Sequence, residues 1–233
     1  MKQPLFLGRL RLKRTPEIAT LIQTLLPEED SQALATDHRL VWSVFARDPD
    51  AHRCFLWRRE DTQGRYLTLS TEPPRPDSAL FDVEHKPFQP SMAPGDRIGF
   101  ALRVNATVDR RPDGRSGRTV RSDVAMDLLR QIPAGGDERA AARQHLAEKA
   151  AREWLEARAE RDGFHVDALR LDAYRPMRLP RPGGKNATIG VFDLQGALRV
   201  ANPEAFLARI AEGFGRAKAF GCGLMLIRRL PNA

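Results

Sequence analysis

The chain is poor in cysteine, in aromatic residues and in long apolar runs, and each shortage removes a class of function. Only Cys54 and Cys222 occur among 233 residues, far apart and without a second pair, which excludes a disulfide framework and a zinc module. The five histidines, His38, His52, His85, His145 and His165, form no HxxxH or HxxE pattern, so neither a metal site nor a cofactor is expected. No apolar span approaches the roughly 20 residues of a membrane crossing. The opening residues MKQPLFLGRLRLKR are broken by Arg9 and Arg11 before a signal-peptide core can form, and a cytoplasmic location is the expectation. Aromatic residues make up 7% of the chain, and no strand candidate carries the aromatic pattern on which RNA-recognition modules stack single-stranded bases. No helix-turn-helix pair is evident, which removes the transcription-factor reading.

What the chain has in excess is positive charge and one glycine-rich phrase. Lysine and arginine number 38 against 30 acidic residues, a formal charge of +8, which favours an acidic partner. Gly213 to Leu224 reads GFGRAKAFGCGL. Its Gly213, Gly215, Gly221 and Gly223 let backbone approach a phosphate, while Arg216 and Lys218 supply positive charge beside them. A Rossmann or Walker loop follows a strand and opens a helix; here a helical segment, Pro203 to Glu212 after Asn202, comes first and an apolar run, Leu224 to Ile227, comes last. A nucleotide-cofactor loop is therefore rejected. The remaining readings are a polyanion grip and a plain helix-to-strand turn with solvated cations.

Phe6 to Lys13 alternates as a half-buried strand with a basic face, and Ser31 to Phe45 carries Leu34, His38, Val41, Trp42 and Phe45 at helical spacing. Cys54 to Arg58 and Tyr66 to Thr71 are further strand candidates. The proline-rich text from Pro73 to Asp96 is weakly periodic and marks a boundary between halves. Arg97 to Asn105 begins a second half as a strand. Asp109 to Ser122 is a loop or edge hairpin, and Asp137 to Arg161 is the strongest helix. Val166 to Tyr174, Ala187 to Asp193 and Leu198 to Val200 read as strands ahead of the Pro203 helix. The expected class is α+β: two tandem ferredoxin-like, RRM-like domains with antiparallel sheets, over 1–92 and 93–233. The second domain holds the glycine loop and the basic segment Tyr174 to Lys185, whose prolines and Gly-Gly pair make it a projecting loop or hairpin.

Several phrases together resemble one family. They are LGRLRL in the first strand, HRLVWSVF at His38 to Phe45, DAHRCFLWRRE at Asp50 to Glu60, FALRVN at Phe100 to Asn105, GRTVRSD at Gly117 to Asp123, and the glycine phrase. In these the chain is similar to the CasE family of CRISPR-associated endoribonucleases, which process precursor CRISPR RNA in type I-E Cascade systems. The resemblance implies a tandem RRM-like protein that binds a repeat RNA stem-loop, cuts at its base without metal, leaves a 2′,3′-cyclic phosphate and a 5′-hydroxyl, and stays with the other Cascade subunits. Its catalytic histidine precedes a tryptophan by four residues, and His38 with Trp42 matches. Many members have a tyrosine three residues before that histidine; this chain has Ala35.

By spacing alone His38 is a helix histidine at the edge of a core, and the resemblance turns it into the proton handler. Arg39 and Arg216 carry permanent charge suited to the transition-state phosphate, and Lys218 suits that role or protonation of the leaving oxygen. Whether His38 acts as base or acid stays open. Arg178, Arg181 and Lys185 in the basic segment are expected to grip the stem, where side chains do not read a deep A-form groove directly. A non-catalytic hairpin-binding subunit of the same fold is the alternative.

Overall fold

The computed structural model describes residues 4–25, 30–46, 52–61, 63–110, 120–129, 137–179 and 187–231. It divides into two compact units: Met1–Ser91 with Arg178–Ala187 and Ala217–Leu224, and Met92–Met177 with Thr188–Arg216 and Met225–Ala233. The glycine-rich phrase, expected within the C-terminal half, thus passes to the first unit from Ala217 onward.

In the first unit, alternation sets strand β1 (Phe6–Leu12), with Leu10 fully buried and Arg9 and Arg11 exposed. Helices α1 (Pro16–Leu25) and α2 (Asp30–Trp42) follow, then strands β2 (Phe55–Arg59), β3 (Arg65–Ser70) and β4 (Phe81–Pro87). All pairings are antiparallel and the order is β2-β3-β1-β4. The core on the helix side of this sheet joins Leu40, Val41, Val44 and Phe45 to Leu10, Phe55, Trp57, Tyr66 and Phe81.

The second unit runs β5 (Arg97–Val104), the hairpin β6 (Thr107–Arg110) and β7 (Val120–Asp123), α3 (Val124–Leu129), α4 (Asp137–Ala159), β8 (Phe164–Leu179), β9 (Ala187–Val200), α5 (Pro203–Glu212) and β10 (Met225–Arg229). Its main sheet has the order β10-β5-β9-β8, so both sheets place the last strand beside the first, as a ferredoxin-like βαββαβ unit does. Ile98, Phe100, Leu102 and Val104 face the same side as Phe192, Leu194 and Leu198 of β9. Helix α4 presents Ala147, Ala151, Trp154 and Leu155 to the core at helical spacing, and α5 presents Phe206 and Ile210. Edge strand β8 is protected by α4: Gln144 and Arg152 donate to the carbonyls of Leu171 and Leu169 (3.3 and 2.8 Å), and Glu148 accepts from the Leu171 amide (3.2 Å).

Three expectations need correction. The proline-rich boundary contains β4, which pairs with β1; Phe81 and Val83 turn inward while Asp82 and Glu84 turn out, and Pro87 is tolerated because β4 is an edge strand. Strand β8 continues through Pro176 to Leu179, beyond Tyr174 where the expected strand ended and the loop or hairpin was expected to begin, because it too lies at an edge. The two short strands expected over 187–200 are one, β9. Helix α1 had no counterpart among the expected elements, although Thr15 accepts from the Ile18 amide (3.4 Å) and Pro16 takes the first helical position. Among the described residues no helix is long and apolar enough to cross a membrane.

The Asn202 side chain caps α5 by accepting from the amides of Glu204 and Ala205 (3.0 and 3.1 Å). Asn202→Ala is expected to lower stability by about 1 kcal/mol, read as a shift of the urea midpoint.

Candidate active site

Helix α2 carries the candidate imidazole, and its buried side fixes where that ring lies. Leu40 and Val41 are buried against the first sheet, and His38 stands half-buried at the edge of this stripe. Its ring centroid is 5.7 Å from that of Trp42 and 6.2 Å from that of Phe55. The Nε2 atom is buried without a hydrogen-bond partner, and a half-turn about the Cβ–Cγ bond would exchange the two ring edges. Burial, followed by the positive charges of Arg53 and Arg39, holds the His38 pKa below its ordinary value near 6.5. The ring is therefore neutral at pH 7 and offers a lone pair.

Arg39 is exposed beside it. Arg53, also exposed, is a cation the sequence reading passed over. It precedes Phe55 by two residues, and Phe55 touches the imidazole, but no local spacing connects a residue ahead of β2 with one on α2. The sequence reading also passed over Asp37. This residue is 1% exposed and faces inward, where it accepts from Tyr66 Oη of β3 at 2.5 Å and from Arg59 Nη1 of β2 at 3.0 Å. Burial raises the Asp37 pKa, opposed by the Tyr66 hydrogen bond and the Arg59 charge; burial and Asp37 push Tyr66 well above its ordinary value.

The glycine-rich phrase has positive φ at Gly213, Gly215, Gly221 and Gly223, and at Ala217. Two of these glycines are needed for close approach. A Cβ on Gly215 would lie 2.5 Å from Val104 and 2.7 Å from the Asn105 carbonyl, which accepts from the Arg216 amide at 3.2 Å. A Cβ on Gly221 would lie 3.3 Å from the Trp57 ring, in a backbone conformation that side chains disfavour. Between them, Lys218–Phe220 forms a single 3₁₀ turn that packs against α2 and β2. The structure thus brings the helix of His38 and the turn of Lys218 together within the first unit.

Gly213, Gly215 and Arg216 belong to the second unit. There Arg216 is exposed and lines a cavity of about 510 Å³ with Trp154, Arg158, Asp109 and Asp127. Arg178 is exposed near the end of β8; Arg181 and Lys185 lie outside the described residues. Among the described residues no three His, Cys, Asp or Glu side chains are grouped as metal ligands.

A family model described as CRISPR associated protein matches residues 5–229. The chain belongs to this CRISPR-associated protein family. Among its relatives, the CRISPR-associated endoribonuclease Cse3 of Thermus thermophilus is 29% identical over 197 residues, covering 74% of this chain and 78% of the relative. The Cascade subunit CasE of Escherichia coli is 22% identical over 214 residues, covering 90% and 99%. Thermus thermophilus Cse3 bound to an RNA representing a pre-cleavage complex superposes with a TM-score of 0.65 at 22% identity, covering 97% of this CRISPR-associated chain and 99% of that one. Escherichia coli Cas6e gives 0.60 at 20% identity, with 97% and 100% covered. These structural likenesses establish the fold.

Followed by NMR, the imidazole of His38 is expected to titrate with a midpoint below 6.5. Arg53→Ala removes a charge that opposes the cation, so the midpoint should rise; an unchanged midpoint would remove Arg53 from the site.

Proposed function

We propose that this chain is a Cascade endoribonuclease that binds the stem-loop of the CRISPR repeat and cuts precursor CRISPR RNA. The observation that carries this reading is a neutral imidazole on a helix packed against a cationic glycine-rich turn, in a chain whose family includes such enzymes. The reaction is transesterification by the RNA itself. His38 accepts the proton of the ribose 2′-hydroxyl, the oxygen attacks the adjoining phosphorus, and the 5′-oxygen departs. A 2′,3′-cyclic phosphate and a 5′-hydroxyl result. Arg39, Arg53 and Lys218 surround the phosphate with positive charge as its equatorial oxygens gain negative charge, and Lys218 is the donor suited to the leaving oxygen. None of these steps calls for a metal, because an imidazole can take the proton and the counter-charge is supplied by side chains.

Arg216, Arg178, Arg181 and Lys185 hold the stem by its phosphates, with Gly213, Gly215, Gly221 and Gly223 allowing backbone to come close. The other Cascade subunits are its protein partners, and the RNA remains bound after the cut. Ala35, where many relatives have a tyrosine, favours a second reading: a subunit that binds the hairpin and does not cut it.

His38→Ala is expected to reduce single-turnover cleavage of a repeat hairpin by about 10²- to 10⁴-fold while leaving its Kd within about threefold. A 2′-deoxy sugar at the scissile nucleotide should abolish the cut, and EDTA should not. Tight binding by the wild type with no product selects the second reading, and loss of activity in EDTA overturns the metal-free mechanism. With His38 as base, the rate should decline as pH falls through the ring's pKa in the RNA complex, where the bound phosphate opposes the lowering of the free protein. A decline as pH rises from 6 to 8 would assign the ring as acid.

A further inference from the structure

A charged side chain beside a candidate catalytic residue, buried and fully engaged, calls for an explanation that packing does not supply. Asp37 precedes His38 on α2 and is turned into the sheet, so its oxygens never meet a substrate. Each oxygen has its own donor on a different strand: Oδ1 takes the Tyr66 hydroxyl from β3, and Oδ2 takes the Arg59 guanidinium from β2. Arg59 is itself held, because its Nε donates to the Asp61 carbonyl at 2.7 Å. The Tyr66 ring is fixed between Trp57 and Phe81, with centroids 5.9 Å away in both cases.

Buried ion pairs are poor sources of net stability, since replacing the whole set of partners by apolar side chains of similar volume is often as stable or more so. What directional bonds to two strands do provide is a fixed rotation of the helix about its own axis. The apolar stripe alone is slack in that coordinate, because Leu, Val and Phe contacts have no preferred direction. The consequence for chemistry is large. An imidazole sits about 5–6 Å from the helix axis, so a rotation of about 10° moves it by about 1 Å. A displacement of about 1 Å at a reacting centre costs on the order of 100-fold in rate.

We propose that Asp37, Tyr66 and Arg59 form a positioning network that locks the rotation of α2 and so sets the His38 ring at the scissile ribose. The inference rests on the reading of His38 as the proton handler. None of the three touches RNA; each acts through the helix.

The test compares Asp37→Leu and Tyr66→Phe with wild type and His38→Ala, using the repeat hairpin RNA. Three quantities are read: the single-turnover rate at saturating enzyme, the Kd for the 2′-deoxy hairpin, and the thermal midpoint. Asp37→Leu leaves the Tyr66 hydroxyl and the Arg59 guanidinium without their shared acceptor, so it is expected to lower the thermal midpoint. Assayed well below that midpoint, it should keep Kd within threefold yet slow the cut about 10- to 100-fold. Tyr66→Phe, which removes one hydroxyl and keeps the ring, should slow it about 5- to 10-fold with Kd unchanged, and it decides the matter if Asp37→Leu does not fold. A purely structural role would couple the losses, so a stable variant cutting at the wild-type rate overturns the proposal. If His38→Ala cuts normally, the reading of the proton handler fails instead, whatever the Asp37 and Tyr66 variants do.

Discussion

The seating of the glycine-rich turn on Trp57 is the contact on which the candidate site depends. Lys218 is distant in sequence from His38, and it reaches the same unit only because residues 217–224 pack against α2 and β2. A Cβ at Gly221 would lie 3.3 Å from the indole on a left-handed backbone, so a side chain there is strained. Ala217, also at positive φ, shows how sharply the chain turns as it leaves Arg216. Residues 217–224, which lie between α5 and β10 in sequence, thereby belong to the first unit. The glycines thus serve geometry first, and whatever phosphate contact they make follows from it.

Electrostatics then decides what the imidazole can do. Burial depresses the His38 pKa, and the charges of Arg53 and Arg39 depress it further, so the ring is a weaker base than a free histidine. The gain is occupancy: at pH 7 the ring is in the form that accepts a proton. The same cations await a phosphate, whose negative charge in the bound complex opposes the depression. If the proposed substrate binds there, it strengthens the base assigned to act on it, a coupling that the unliganded protein lacks.

How much of this was legible in the sequence varied with the range of the interaction. Strands β1 and β5 and helices α4 and α5 announce themselves through local period and caps, such as Asn202 before Pro203. The order of helix, glycine turn and strand around GFGRAKAFGCGL was likewise local. Strand β4 was hidden by the prolines around it, because edge strands tolerate what central strands do not. Asp37 was invisible for a different reason. Its partners lie 22 and 29 residues away, on two strands, and a lone aspartate in a helix gives no sign that it faces inward. Arg53 suffered the same fate, since its importance comes from Phe55 lying against the imidazole.

The tyrosine that many relatives place three residues before the histidine is Ala35 here, and the methyl group of alanine has no proton to give. Only two tyrosines occur in the chain, Tyr66 and Tyr174. Tyr66 is 1% exposed, donates its proton to Asp37 and holds it far more tightly than an ordinary phenol, so it cannot serve as an acid at the substrate. Tyr174 donates to Asp123 in the second unit and is likewise pushed up by burial. Neither phenol can stand in for the missing one. On the proposed reading, the leaving oxygen then takes its proton from Lys218 or from water, and the cations around His38 neutralise the phosphorane. A site without that acid depends, on the same reading, more heavily on where His38 is held, the role proposed for the inward-facing Asp37.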